Sequence, residues 1–94
     1  MISIANRPKI LDNVNWRADG EDNQIIILSK EGLPLPLILN ISASKIFLLS
    51  NGKNTLEDIT QALCDEFAVD DFSAVLKDVK EQVGDFLSKG IVEC

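Results

Sequence analysis

Histidine and tyrosine are absent from this chain of 94 residues. Histidine is the side chain that titrates near neutral pH and is the commonest metal ligand, so its absence argues against triad, acid–base and metal chemistry. The two cysteines, Cys64 and Cys94, lie far apart and have no CxxC spacing, which indicates neither a zinc site nor a redox pair. We therefore predict that the protein is not an enzyme and has no metal and no cofactor.

Positive charge and long apolar runs are also scarce. The chain has 9 Lys and Arg against 15 Asp and Glu, a formal net charge of −6, and a negative surface repels a phosphate backbone. No apolar run approaches the roughly 18 residues of a membrane span, and the N-terminus lacks the pattern of a signal peptide. We expect no nucleic acid, no membrane contact, and a cytoplasmic protein with reduced thiols.

Apolar residues in the first part of the chain are typical of strands. They alternate with polar residues or form short β-branched runs, which predicts strands at about 10–17, 24–29 and 33–39. Trp16, the lone tryptophan, is expected in the core. The second strand is rich in isoleucine and is expected to be buried on both faces. Prolines in the third strand place it at an edge of the sheet.

After residue 40 the apolar period becomes that of helices, which are predicted at about 42–50, 55–67 and 72–89. Three strands followed by three helices predict an α+β, winged-helix-like fold, in which a three-stranded antiparallel sheet is followed by a three-helix bundle. Because 46% of the residues are hydrophobic, one compact core is expected, and we interpret residues 1–94 as a single domain.

An ordered set of residues along these elements resembles one known family. From Leu39 to Ile59 the sequence follows the pattern LN-x-x-A-x-x-I-x-x-L-x-x-G-x-x-T-x-x-x-I of the PqqD proteins. Similar residues fall at family positions outside this stretch, namely Trp16, Arg17, Gly32, Phe67, Asp78, Val79, Phe86, Leu87, Gly90 and Ile91. The resemblance covers about residues 8–93, nearly the whole chain.

The resemblance implies a binding module without catalysis. Members of the PqqD family bind the leader segment of a ribosomally made precursor peptide, which adds as an antiparallel strand beside the third strand and lies against the third helix. They present the bound peptide to a modifying enzyme, often a radical S-adenosylmethionine protein. An exposed strand edge suits this mode, because its backbone groups provide affinity and alternate side-chain pockets provide selectivity.

The third predicted strand departs from the family pattern. Between Gly32 and Asn40 the chain is longer than the usual family spacing and carries Pro34 and Pro36. Backbone N–H groups of alternate residues point to the same side of a strand, so both prolines share a side with Ile38, which keeps its donor. If this side faces the leader, docking is concentrated at Ile38 and beyond; the opposite register, which we favour less, turns the prolines toward the second strand. The prolines also protect the edge from aggregation.

One flank of the third helix is basic and contains a glycine. At 100° per residue, Ser73, Lys77, Lys80 and Gly84 share this flank. We hypothesise that it lines the leader groove and favours a leader with Asp or Glu; a solvated amphipathic surface is the alternative. The predicted peptide-binding residues are Leu35, Pro36, Leu37, Ile38, Leu39, Ser73, Leu76, Lys77, Lys80, Val83, Gly84 and Leu87.

Two other classes of protein are compatible with the same elements. A winged-helix nucleic-acid binder fits the fold, although the net charge of −6 and a third helix without an arginine-rich face argue against it. A small structural subunit could instead pair its apolar edge strand with a second copy and form a homodimer. The expected partners are therefore a leader peptide and a modifying enzyme, with self-association as the alternative.

Overall fold

Five strands and three helices lie in residues 2–30 and 36–94, the parts of the chain that this computed structural model describes. In chain order they are β1 (Lys9–Ile10), β2 (Asn15–Asp19), β3 (Gln24–Ser29), β4 (Leu37–Ile38), α1 (Ile41–Leu49), α2 (Leu56–Phe67), α3 (Phe72–Ser88) and β5 (Val92–Glu93). Strands β2, β3 and β4 form an antiparallel sheet in that order, and the three helices follow. The predicted α+β, winged-helix-like fold is confirmed.

The predicted strand at 10–17 is wrong as a single element. Its first part, Lys9–Ile10, pairs with β5, and only Asn15–Asp19 joins the three-stranded sheet. A turn separates them, because Asp12 and Asn13 occupy turn positions and the N–H of Val14 donates to the carbonyl oxygen of Leu11 over 3.2 Å. Strand β1 therefore ends at Ile10, and Asp12 marks a break between two strands rather than an irregularity in a longer one.

The two faces of strand β3 differ in burial. Ile25 and Ile27 are fully buried, whereas Ile26 is half-buried and Leu28 is exposed. The prediction that this strand is buried on both faces is wrong, because the helices cover only one face. Of the strand predicted at 33–39, the structure shows β4 at Leu37–Ile38; residues 33–35 lie outside the described residues.

The helices begin and end within one residue of their predicted bounds. Each has a side-chain cap: Asn40 accepts from the N–H of Ala43, Thr55 from that of Asp58, and Asp71 from that of Ala74. In α2 the cap is reciprocal, since the Asp58 carboxylate accepts from the N–H of Thr55 over 3.0 Å. Hydrogen bonds from the backbone and side chain of Thr55 hold the pKa of the Asp58 carboxyl below its ordinary value of 3.8.

The core lies between the inner face of the sheet and the helices. Phe47 of α1 is its centre, with the Phe86 ring edge-on at a centroid distance of 6.0 Å. Trp16 packs its indole edge-on against Phe47 at 5.1 Å but stays 39% exposed, so the prediction of a core tryptophan is wrong. Cys64 is buried and Cys94 is exposed. Within residues 2–30 and 36–94, no helix is long and apolar enough to cross a membrane.

Candidate functional site

Strand β4 forms one open edge of the three-stranded sheet. The N–H of Leu39 donates to the carbonyl oxygen of Ile25 over 2.9 Å, so this N–H points toward β3. Successive residues of a strand point their N–H groups to opposite sides, and the N–H of Ile38 therefore points outward. Pro36 lies on the same outward side and has no N–H. This is the register favoured from the sequence, and it leaves Ile38 as the outward donor of β4.

The two open edges of the sheet differ in their side chains. On β2, every residue is exposed, and Arg17 and Asp19 form an ion pair of 3.9 Å. On β4, the Ile38 side chain is 63% exposed, and its cross-strand neighbour on the outer face is the half-buried Ile26. Charges on an edge strand oppose strand addition, whereas an uncharged apolar edge accepts it. The β4 edge is thus the better acceptor of an added strand.

Ser44 fixes the position of α1 beneath this edge. Its hydroxyl oxygen accepts a 2.8 Å hydrogen bond from the N–H of Ile25, and the same hydroxyl lies 3.4 Å from the carbonyl oxygen of Leu39, to which it donates. The other buried hydroxyl groups, of Ser50 and Thr60, donate to carbonyl oxygens of α1 and α2 in the preceding turn. Ser44 is therefore the buried hydroxyl that joins a helix to the sheet, a role that its sequence position did not indicate.

A groove of about 480 Å³ lies between the three helices. Its lining comprises Ser42 and Ile46 of α1, Leu63 and Phe67 of α2, Val69, and Val75, Asp78, Glu81, Gln82 and Asp85 of α3. A second, more open hollow is lined by Gln24, Asn40, Ile41, Ser42 and Phe67. Both are lined by Ser42 and Phe67, so the groove and the hollow adjoin, and we refer to them together as the depression. This depression reaches the C-terminal end of β4, where the Gln24 amide donates to the carbonyl oxygen of Leu39 over 2.9 Å.

The charged side chains that line the groove are all negative. Three carboxylates, of Asp78, Glu81 and Asp85, line it, and no Lys or Arg is among its lining residues. Asp85 is paired with Lys89 at 2.6 Å. Asp78 and Glu81 form no ion pair with a residue in the part of the chain that the structure describes. In that same part, no three Cys, Asp or Glu side chains gather in a way that could hold a metal ion.

The predicted residues of the helix lie on the opposite flank of α3 from this groove. Ser73, Leu76, Lys77 and Lys80 line an adjacent hollow of about 290 Å³, which shares Glu81 with the groove. Val83 is buried in the core, and Leu87 packs against it.

Gly84, on the same flank, faces another part of the chain. A β-carbon built there would lie 3.4 Å from Cδ1 of Ile2, so the chain's own N-terminal segment lies where close approach of a peptide was predicted.

The predicted peptide-binding residues of the third strand lie in different places. Pro36 and Ile38 lie on the open edge, Leu37 and Leu39 turn inward to the core, and Leu35 lies outside the described residues. Sequence reasoning did not assign Ser42, Phe67 and Gln82 to a site. Phe67 carried a signal, since it falls at a family position, and the structure leaves its ring 41% exposed at the end of α2.

A small α+β domain with one uncharged open strand edge above a helical groove is the architecture of a recognition module. Residues 36–92 match the family model of coenzyme PQQ synthesis protein D (PqqD). The chain belongs to the PqqD family, as its sequence motifs predicted. A search of curated protein sequences finds no significant match.

Two solved structures resemble the protein over most of its length. The PqqD part of Methylobacterium extorquens PqqCD, described as a functional and stand-alone recognition element for ribosomally synthesised and post-translationally modified peptides, is 22% identical, with a TM-score of 0.78 over 100% of this chain and 96% of that one. TbiB1, solved in complex with the TbiA(beta) leader peptide, is 29% identical, with a TM-score of 0.74 over 90% of this chain and 94% of its own. Both support the fold.

Proposed function

We propose that this protein is a non-catalytic recognition domain that binds the leader segment of a ribosomally made precursor peptide. The observation that carries the proposal is the outward N–H of Ile38 on an uncharged edge strand that ends at a groove. Membership of the PqqD family supports it. So does the similarity to TbiB1, a protein solved with a leader peptide bound.

The leader adds to the sheet as a fourth strand, antiparallel to β4. Its backbone pairs with the outward N–H and carbonyl groups of β4, and its alternate side chains meet the protein surface. Because Pro36 offers no donor, pairing on the donor side is concentrated at Ile38. Side chains beyond the paired residues reach the depression shared by Ser42 and Phe67.

The bound leader is presented to a modifying enzyme, such as a radical S-adenosylmethionine protein. The protein itself supplies backbone pairing and an apolar groove, and it lacks histidine for acid–base work. We place this function in the cytoplasm, where ribosomes make the precursor. No cofactor is needed for a recognition step of this kind.

The test is a titration of the leader segment of a candidate precursor peptide into the protein, followed by Trp16 fluorescence and amide chemical shifts. Saturable binding with shifts at Ile38, Ser42 and Phe67 is the expected result. Chemical-shift changes confined to Lys77 and Lys80 would instead show that the leader binds the basic flank of α3, as predicted from the sequence. Absence of binding at about 100 μM leader, where a typical micromolar site is nearly saturated, would contradict the proposal.

Self-association is a second candidate because the exposed Ile38 edge could pair with a copy of itself. A homodimer through β4 would use the same backbone groups as the leader. Sedimentation velocity with and without the leader separates the two, since a dimer paired through β4 dissociates when the leader binds. A dimer that persists at saturating leader would assign self-association to another surface.

A further inference from the structure

We propose that the groove between α1, α2 and α3 selects leader segments in which one lysine or arginine lies next to apolar side chains. The inference rests on the proposed function and specifies the class of peptide that the site takes. It differs from the expectation drawn from the sequence, which placed the leader on the basic flank of α3 and favoured acidic residues.

The walls of the groove are apolar and lie at two depths. Ile46 and Leu63 are buried at its base, whereas Phe67 and Val69 are exposed at its rim. An apolar side chain of a peptide covers these surfaces and removes them from water. A groove with only such walls would accept any apolar segment, so selectivity must come from the polar part of its lining.

That polar part is negative. Asp85 is engaged by Lys89, and Lys45 of α1 is engaged by Glu66 at 3.2 Å, so both of these cations are already paired. Asp78 and Glu81 have no ion-pair partner in residues 2–30 and 36–94, and they are three residues apart, which makes them neighbours on the surface of α3. The groove therefore offers two unpaired carboxylates beside apolar walls.

Lysine and arginine match this combination better than any other side chain. Their alkyl stems pack along apolar surface while the charged head extends to the rim. A stem that lies on Phe67 and Val75 can place its head group near Asp78, which lines the same groove. An acidic leader residue at this position would be repelled by the two unpaired carboxylates, so the same charges also disfavour the alternative class of leader.

The position of the basic residue follows from the direction of the added strand. A peptide antiparallel to β4 begins beside the C-terminal end of β4, where Asn40 and Ser42 line the path into the groove. The residues that enter the groove therefore precede the residues that pair with β4. We expect the lysine or arginine on the N-terminal side of the strand-forming segment.

The test selects a displayed library of random 12-residue peptides on the wild-type protein and on Asp78→Asn, Glu81→Gln and Asp12→Asn variants. Asp78 and Glu81 are exposed and unpaired among the described residues, so their variants keep the fold. Asp12 lies in the turn before β2 and outside the groove lining, and Asp12→Asn is the matched control for the same change in net charge.

The expected result is enrichment of lysine or arginine N-terminal to an apolar alternating segment on the wild type and on Asp12→Asn. Enrichment of the basic residue should fall on Asp78→Asn or Glu81→Gln while the alternating segment persists. A representative selected peptide should bind about two- to five-fold more weakly to Asp78→Asn or Glu81→Gln than to the wild type. This is the loss in affinity expected when one solvent-exposed ion pair is removed.

Two other results would overturn the inference in distinguishable ways. Peptides enriched without a basic residue, or with the same basic frequency on every variant, would contradict the charge selection and leave the proposed function intact. A library from which no peptide is enriched on the wild type would contradict the proposed function and this inference with it.

Discussion

The N–H of Leu39 donates to the carbonyl oxygen of Ile25 over 2.9 Å, and this bond sets the direction of the backbone groups in β4. It turns the N–H of Ile38 away from the sheet and places Pro36 on the same outward side. The outward donor therefore lies where β4 leads into α1, directly before the depression formed by Asn40, Ser42 and Phe67. A peptide that pairs with β4 at Ile38 can therefore continue directly into the groove.

Replacement of Ile38 by proline should weaken leader binding while the fold is retained. The change removes the outward N–H. The N–H of the next residue, Leu39, is the one that donates to β3, so the pairing between the two strands stays intact. Loss of one hydrogen bond lowers affinity by roughly 2- to 10-fold. Titration of the leader measures the loss, and circular dichroism checks the fold.

Ile38→Val is the control, since it keeps the N–H and a β-branched side chain. A proline variant that binds as tightly as the wild type would show that the Ile38 N–H takes no part in docking. Equal losses in both would assign the effect to the side chain instead.

Ser44→Ala should lower the free energy of unfolding by about 1–3 kcal/mol. The substitution leaves the buried N–H of Ile25 without its acceptor, and an unsatisfied buried donor costs about that much. Urea unfolding followed by Trp16 fluorescence measures the change. Ser42→Ala, on the same helix with an exposed hydroxyl, should change stability far less; a similar loss in both variants would refute the role of Ser44.

Helix bounds and the winged-helix-like order could be predicted because they depend on local signals. Asn40, Thr55 and Asp71 are cap residues that mark where each helix begins, and apolar residues at helical spacing mark the buried faces. The break at Asp12 was missed because Ile10, Val14 and Trp16 keep the same parity on both sides of it. Alternation alone does not reveal which strand each segment pairs with.

The site was harder to predict because it depends on long-range packing. The open edge of β4 followed from Pro36, whose missing N–H is a local property. Which flank of α3 lines the groove is decided by where α1 and α2 dock, and both flanks carry polar residues. The contact of Ile2 with Gly84 is set by the path of the N-terminal segment, which has no signature in a helical wheel.

The stability of α2 should depend on pH through Asp58. Its N–H partner and hydroxyl partner, both in Thr55, lower the pKa of the carboxyl in the folded protein, with Arg7 contributing in the same direction. A lowered folded pKa gives a contribution that is present above the unfolded value of about 3.8 and is lost as the pH falls through the folded value. Comparison with an Asp58→Asn variant isolates the contribution of the Asp58 carboxylate to the free energy of unfolding.

The difference in unfolding free energy between wild type and Asp58→Asn should be largest near neutral pH and should narrow below pH 3.8, measured by urea unfolding across the range. Asp65→Asn on the same helix is the control, because Asp65 accepts from the Gln61 side chain rather than from a helix-terminal N–H. A difference that stays constant from neutral to acid pH would contradict the linkage to Asp58.

A pair of substitutions distinguishes the two flanks of α3 as the leader-binding surface. Phe67→Ala removes the exposed ring shared by the groove and the hollow beside β4, and should weaken leader binding by roughly 5- to 30-fold, as for a central contact residue. Lys80→Glu reverses a charge on the other flank and should not weaken binding at low salt, because Lys80 is absent from the groove lining and a basic leader residue is attracted by added negative charge. The opposite outcome, with Lys80→Glu impaired and Phe67→Ala unaffected, would place the leader on the basic flank beside Ile2 and require that the N-terminal segment move aside.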